Sequence, residues 1–189
     1  MTGIQIAEPQ RSPSNWKTDL VTRIYKYIQE LTEAGERVKA YSAPTTKPRE
    51  RIHLAVFNEP YLTLILEQRK TLESRFSVNR CAPYQEVFAG DILVLKLSGG
   101  PIMGLATVGS ATHLRISSPD EFTEIVDRYG PALCVEGSDF WEQHKNASYC
   151  TLIELRNIER FEMDKVQKRD RLGWVVLQRE QMELFPENA

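Results

Sequence analysis

The chain has 189 residues, 41% of them hydrophobic and 26% charged, with a formal net charge of −2 and a pI near 6.0. Those values describe one globular domain with an appendage, long enough to bury a sizeable core. They exclude a global basic field for holding a long nucleic acid, so any RNA contact must come from local patches or from a pocket for a single nucleotide. No apolar run is long enough to cross a membrane. The N-terminus also lacks the basic-then-apolar order of a signal peptide, and a cytoplasmic location is expected. Cys81, Cys134 and Cys150 are far apart and odd in number, which suits reduced thiols better than a disulfide framework. His53, His113 and His144 form no ligand spacing with them, so neither a metal nor a cofactor is expected.

Residues 1–13 carry two prolines and few large apolar groups, the composition of a mobile tail. From Asn15, Leu20, Ile24, Tyr27, Ile28 and Leu31 recur at helical spacing. Ser14 or Asn15 can cap this helix and Gly35 can stop it. Its apolar stripe needs a surface to rest on, either the rest of the chain or a partner. Ala43 to Arg51 reads as a proline-bearing linker with Lys47, Arg49 and Arg51, a solvated segment rather than a phosphate-binding arm. The expected division is a tail, helix and linker over 1–50, a main domain over 51–180, and a short tail over 181–189.

In the main domain, Ile52 to Val56 is a strand signal. Asn58 can cap a helix that tolerates Pro60 in its first turn, and Tyr61 to Leu66 continues it. Thr71 to Phe76 then alternates as a strand does, which puts Thr71, Glu73 and Arg75 on one face and Leu72, Ser74 and Phe76 on the other. Lys70 stands at the head of that strand. On spacing alone, Glu73 and Arg75 form a surface salt bridge of little consequence. The 79–89 loop carries Arg80 and Tyr84, the latter able to stack on a base or simply to pack. Ile92 to Leu97 and Ile102 to Val108 form a hairpin around Ser98-Gly99-Gly100-Pro101.

Ser118-Pro119-Asp120-Glu121 opens a helix with a cap, a first-turn proline and a capping-box glutamate, and Gly130-Pro131 is expected to end it. Ser138 or Asp139 opens a short helix bearing Trp141, either a stacking platform or a packing residue. Tyr149 to Leu155 is a strand. Lys165, Lys168, Arg169 and Arg171 then make a modest basic patch before a last strand. Strands over 52–56, 71–76, 92–97, 102–108, 150–155 and 174–178 should pair into one mostly closed sheet.

The run Ile52-His53-Leu54-Ala55-Val56, then Asn58-Glu59-Pro60-Tyr61-Leu62, then Lys70-Thr71-x-Glu73-x-Arg75, resembles the opening of an ASCH domain. Gly90-Asp91-Ile92-Leu93-Val94-Leu95 and Tyr149-Cys150-Thr151-Leu152-Ile153-Glu154-Leu155 fit later strands of that family, so the resemblance spans about residues 51–180. One departure is Gln68, where the family often has glycine two residues before the lysine. The resemblance implies an α+β fold: a PUA-like mixed β-barrel with flanking helices, here with an N-terminal helical extension. It further implies recognition of RNA or a modified nucleoside at the Lys70-x-x-Glu73-x-Arg75 corner. Lys70 and Arg75 would meet phosphate or carbonyl oxygens, Glu73 would accept from an exocyclic amine, and Arg80, Tyr84 and Trp141 are further ligand-binding candidates.

Two alternatives stand beside this reading. Some ASCH proteins are acetylcytidine amidohydrolases, which use a lysine, a threonine three residues on, and a later glutamate. Here Lys70 matches the lysine, Glu73 occupies the threonine position and would join Lys70 as the catalytic pair, and Glu136 and Glu142 are the candidates for the later carboxylate. Ribonuclease activity has also been proposed within the family. The other alternative is a protein-interaction module that uses the N-terminal helix.

Overall fold

The computed structural model describes residues 16–33 and 51–178, apart from residues 136, 165, 167 and 169. The expected tails, the caps Ser14, Asn15 and Gly35, most of the linker, Glu136, Lys165 and Arg169 lie outside the described residues. In chain order the elements are α1 (Trp16–Glu33), β1 (Ile52–Phe57), α2 (Tyr61–Leu66), β2 (Leu72–Ser77), β3 (Ile92–Leu97) and β4 (Ile102–Arg115). There follow α3 (Pro119–Leu133), α4 (Asp139–His144), β5 (Tyr149–Met163) and β6 (Trp174–Gln178). None of the described helices is long and apolar enough to cross a membrane.

All six strands join one sheet in the order β2-β5-β4-β3-β1-β6. β1 and β3 run parallel, and every other pair is antiparallel. β1 and β3 are buried almost throughout because both faces are covered. Ile52, Leu54, Ile92 and Val94 point outward to α1, where they meet Leu20, Val21, Ile24 and Ile28. Ala55, Phe57, Leu93 and Leu95 point inward, where Leu62 and Ile65 of α2 pack against them. A third cluster lies where α3 and α4 cover the outer half of β2 and β5, around Phe122, Ile125, Leu133, Cys150 and Leu152. The apolar stripe of α1 thus rests on its own barrel, with Leu20, Ile24 and Ile28 buried and Leu31 half-buried.

Three expectations change. β4 and β5 are longer than their apolar runs, extending to Arg115 and Met163, and they pair along almost their whole length. Register shifts at Ile102/Gly104, Leu105/Thr107 and Val108/Ser110 bend this ribbon, so it continues past the point where its alternation breaks. α3 also runs through Gly130-Pro131 to Leu133. A proline in the last turn removes only one hydrogen bond, and fully buried Leu133 anchors that turn. Finally, β2 and β6 each have one strand neighbour, so the hydrogen-bond ladder between them is open and the sheet is a half-barrel. Arg75 of β2 spans this seam with its side chain, donating from Nη2 to Val56 O (3.0 Å) and from Nη1 to Gly173 O (3.3 Å).

The α1 docking is testable by denaturant unfolding. Leu20→Ala or Ile24→Ala should cost about 2–5 kcal/mol of stability. Lys26→Ala, which breaks only an exposed pair with Glu30, should cost less than about 0.5 kcal/mol. Equal, small effects at all three positions would mean that α1 does not depend on the barrel.

Candidate functional site

The corner between α2 and β2 is set by the backbone. α2 ends with Gln68 N–H donating to Ile65 O and Arg69 N–H to Leu64 O, the crossed pair of a Schellman motif. That motif needs a left-handed residue, and Gln68 supplies it at φ 59°. The conformation that glycine would favour is therefore adopted by a glutamine. Lys70 N–H also donates to Leu64 O (3.0 Å), and the chain turns directly into β2.

Lys70 is 2% exposed. Its Nζ donates to Leu133 O (2.6 Å) and lies 3.5 Å from Glu73 Oε2. The ammonium therefore caps the C-terminal end of α3, where unpaired carbonyls concentrate negative charge. Burial holds the Lys70 pKa below the ordinary 10.5, against the upward pull of Glu73. Glu73 is itself buried, and its Oε1 lies 2.9 Å from Arg75 Nε, close but not aligned as a hydrogen bond. The guanidinium sits over the rings of Phe57 (4.8 Å) and Trp174 (5.4 Å). Lys70, Glu73 and Arg75 thus form one chain of alternating charge, with Lys70 and Glu73 buried and Arg75 half-buried. The Glu73–Arg75 pair is not the surface bridge that spacing suggested, because this face of β2 turns into the barrel.

A cavity of about 300 Å³ opens at the seam, walled by Arg75, Ser77, Tyr84, Thr151, Leu172 and Trp174 among others. Neither Lys70 nor Glu73 is on its wall. Three aromatic residues, Phe76, Tyr84 and Trp174, are on the wall. Tyr84 packs edge-on against Tyr149 (4.8 Å) and His113 (5.6 Å). Trp174 is fixed by its Nε1–H, which donates to Nδ1 of fully buried His53 (3.1 Å). An indole N–H can only donate, so Nδ1 is the acceptor and Nε2–H of His53 donates to Asp91 Oδ2 (3.0 Å). Asp91 also accepts Phe88 N–H (2.8 Å) and Arg51 N–H (3.0 Å). Thr151 is fully buried, with Oγ1 3.4 Å from His113 Nδ1. His113 donates from Nε2 to Val87 O (3.1 Å) and accepts Gln85 N–H at Nδ1 (3.1 Å), and burial keeps its pKa below the ordinary histidine value.

Of the residues singled out from sequence, Lys70, Glu73 and Arg75 come together, and Arg75 shares the cavity wall with Tyr84. Arg80 is exposed, bonded to Gln85 Oε1, and off the wall. Trp141, on α4, packs against Phe76 of β2 (6.2 Å), Phe122 of α3 (6.3 Å) and Phe140 (5.0 Å). Glu142 is exposed and pairs with Lys145 (2.9 Å). Ser77, Thr151 and Trp174 were not singled out. A threonine in the otherwise apolar run Cys150–Ile153 was a signal, as was a tryptophan at the head of the last strand.

No protein-family model and no curated protein matches the chain. Among solved structures, an ASCH protein from Zymomonas mobilis superposes with a TM-score of 0.52 at 10% identity, over 67% of this chain and 87% of that one. Two mutant forms of the Zymomonas mobilis protein give 0.48 and 0.47 at 12% identity, over 62% and 60% of this chain and 77% and 75% of theirs. The fold is ASCH-like: an α+β, PUA-like half-barrel with flanking helices.

Two measurements check the corner. A left-handed backbone costs a residue with a side chain about 1–2 kcal/mol, and glycine's larger chain entropy returns about 0.5–1. Gln68→Gly should therefore stabilise the protein by up to about 1 kcal/mol in urea unfolding, and destabilisation would contradict the assigned backbone. The second is the pH dependence of Lys70. Between its lowered folded-state pKa and 10.5, the unfolded chain holds a proton that the folded chain lacks. Across that window the stability of the wild type should rise with pH relative to Lys70→Met, and below it the difference should be flat. A difference that stays flat up to pH 10.5 would show that burial does not act on this ammonium.

Proposed function

We propose that this chain is a recognition module that takes a single nucleobase or nucleoside, free or within single-stranded RNA, into the cavity at the β2–β6 seam. The observation that carries the reading is that one small cavity joins a guanidinium to aromatic residues, Tyr84 and Trp174 among them. Its volume is at the low end for ligand pockets, which suits one base and not a duplex. Tyr84 and Trp174 offer aromatic surface, which accepts any base. Ser77 and Thr151 add hydroxyls, which can donate or accept. Arg80 and Arg171, both exposed and next in sequence to wall residues, would meet backbone phosphates. A local site of this kind is compatible with a net charge of −2.

Binding without turnover is the form we favour. An amidohydrolase would need Lys70 to reach the substrate and exchange a proton with it. Here Nζ is buried and donates to Leu133 O, and neither Lys70 nor Glu73, which stands in the threonine position, reaches the cavity wall. The α1 stripe is covered by the barrel, which leaves it unavailable for docking a partner.

The test measures binding of unmodified and acylated nucleosides to the purified protein by calorimetry, with a parallel turnover assay. Several nucleosides should bind without being consumed. Tyr84→Ala should weaken binding by about 5- to 150-fold, the equivalent of 1–3 kcal/mol for one stacked base, with the circular dichroism unchanged. No binding by any nucleoside, or binding indifferent to Tyr84→Ala, would refute the proposal. Turnover that disappears in both Lys70→Arg and Lys70→Ala would replace it with the hydrolase.

A further inference from the structure

The hydrogen-bonding capacity of the cavity wall is lopsided, and this narrows the class of ligand. Several wall carbonyls already accept hydrogen bonds within the protein. Gly173 O accepts both Val56 N–H (2.9 Å) and Arg75 Nη1–H (3.3 Å). Pro83 O likewise accepts two donors, Glu86 N–H (2.9 Å) and Val87 N–H (3.3 Å). Leu172 O accepts the Lys168 ammonium (2.7 Å), Ser77 O accepts Ser148 N–H (3.0 Å), and Cys81 O accepts Tyr84 N–H (3.0 Å). No carboxylate, amide or imidazole side chain lines the wall. The nearest carboxylate along β2, Glu73, is locked between two cations away from it.

Donors, by contrast, are in surplus. A guanidinium carries five N–H groups in a rigid fork. In Arg75 one goes to Val56 O, one to Gly173 O, and the Nε–H lies beside Glu73. The two that remain have no partner among the described residues. Charge points the same way, because one carboxylate shared by Lys70 and Arg75 leaves the guanidinium incompletely neutralised.

Resting on the nucleoside reading above, we infer that this cavity selects its ligand by hydrogen-bond acceptors, and so takes a keto-bearing base edge in preference to an amine-bearing one. The spare Arg75 N–H groups donate to the keto oxygen. An exocyclic amine placed there would face donors with its own donors and lose both sets of hydrogen bonds to water without replacement. Thr151 and Ser77 are hydroxyls that rotate to give or accept, so they adjust to the rest of the ring and do not set the preference.

Matched pairs that exchange a keto group for an amine, and with it the neighbouring ring N–H donor for an acceptor, test this preference: uridine against cytidine, and inosine against adenosine, each titrated into the full chain. In both pairs the keto member should bind at least about tenfold more tightly. Arg75→Gln replaces the donor-only fork with an amide that both donates and accepts, and should bring the two ratios close to one. Ratios near one, or an amine preference, in the wild type would overturn this inference while leaving nucleoside recognition standing. No binding by any of the four would overturn both. A keto preference that survives intact in folded Arg75→Gln would refute the assignment to Arg75. Should that variant fail to fold, the wild-type ratios still decide the preference itself.

Discussion

A single carboxylate held between two cations organises this molecule. Glu73 ties Lys70, which caps α3, to Arg75, which spans the seam. Such buried chains are weak sources of net stability, since taking the charges out of water offsets much of their attraction. Their strength lies in the asymmetry of loss. Removing one member of a buried pair costs about 3–5 kcal/mol, because a charge is left without its counterpart. The trio therefore fixes relative positions more than it stabilises the fold. It fixes three at once: the C-terminal end of α3, the face of β2, and the distance between the two edges of the sheet.

The seam explains why such a device is present. A sheet that closed by pairing β2 with β6 would need no side-chain link and would have no cavity between those strands. Left open, it presents two strand edges, which proteins ordinarily cover or blunt. Arg75 spans the gap with two hydrogen bonds to backbone carbonyls and stacks on Phe57 and Trp174. Trp174 is in turn braced by His53 and Asp91, and Asp91 fastens the residues that precede β1 and β3. Cavity wall and barrel closure are thus built from the same side chains.

Much of the scaffold was legible in the sequence because it follows from local periodicity. The stripe of α1, the alternation of β2 and the Ser118 cap all rest on neighbours within a few residues, and Ser118 Oγ does accept Glu121 N–H (3.2 Å). What was not legible depends on distant partners. The face of β2 that turns inward is decided by pairing with β5, so Glu73 looked like a surface residue until Ile153 stood opposite it. The length of β4 and β5 is sustained by each other and not by their own alternation. Trp141 stood out as an aromatic candidate and Trp174 did not. Only the topology sends the first against α3 and β2 and the second to the seam. Gln68 shows the converse case: the departure from glycine was visible, but a Schellman motif with its full set of hydrogen bonds imposes the left-handed backbone regardless.

Burial of the most distinctive charges also separates two roles that a linear motif runs together. Lys70, Glu73 and Arg75 are neighbours in sequence and joined in space, yet only Arg75 borders open volume. Lys70 can influence a ligand only through Glu73 and then Arg75, by adjusting how much of the guanidinium's charge and how many of its N–H groups are already committed. A carboxylate drawn partly toward Lys70 neutralises Arg75 less than one devoted to it. By the same reasoning, a lysine that lost its proton would leave Glu73 entirely to Arg75 and weaken the donor that faces the cavity. The buried end of the chain is therefore linked to the end at the cavity through the charge of Glu73.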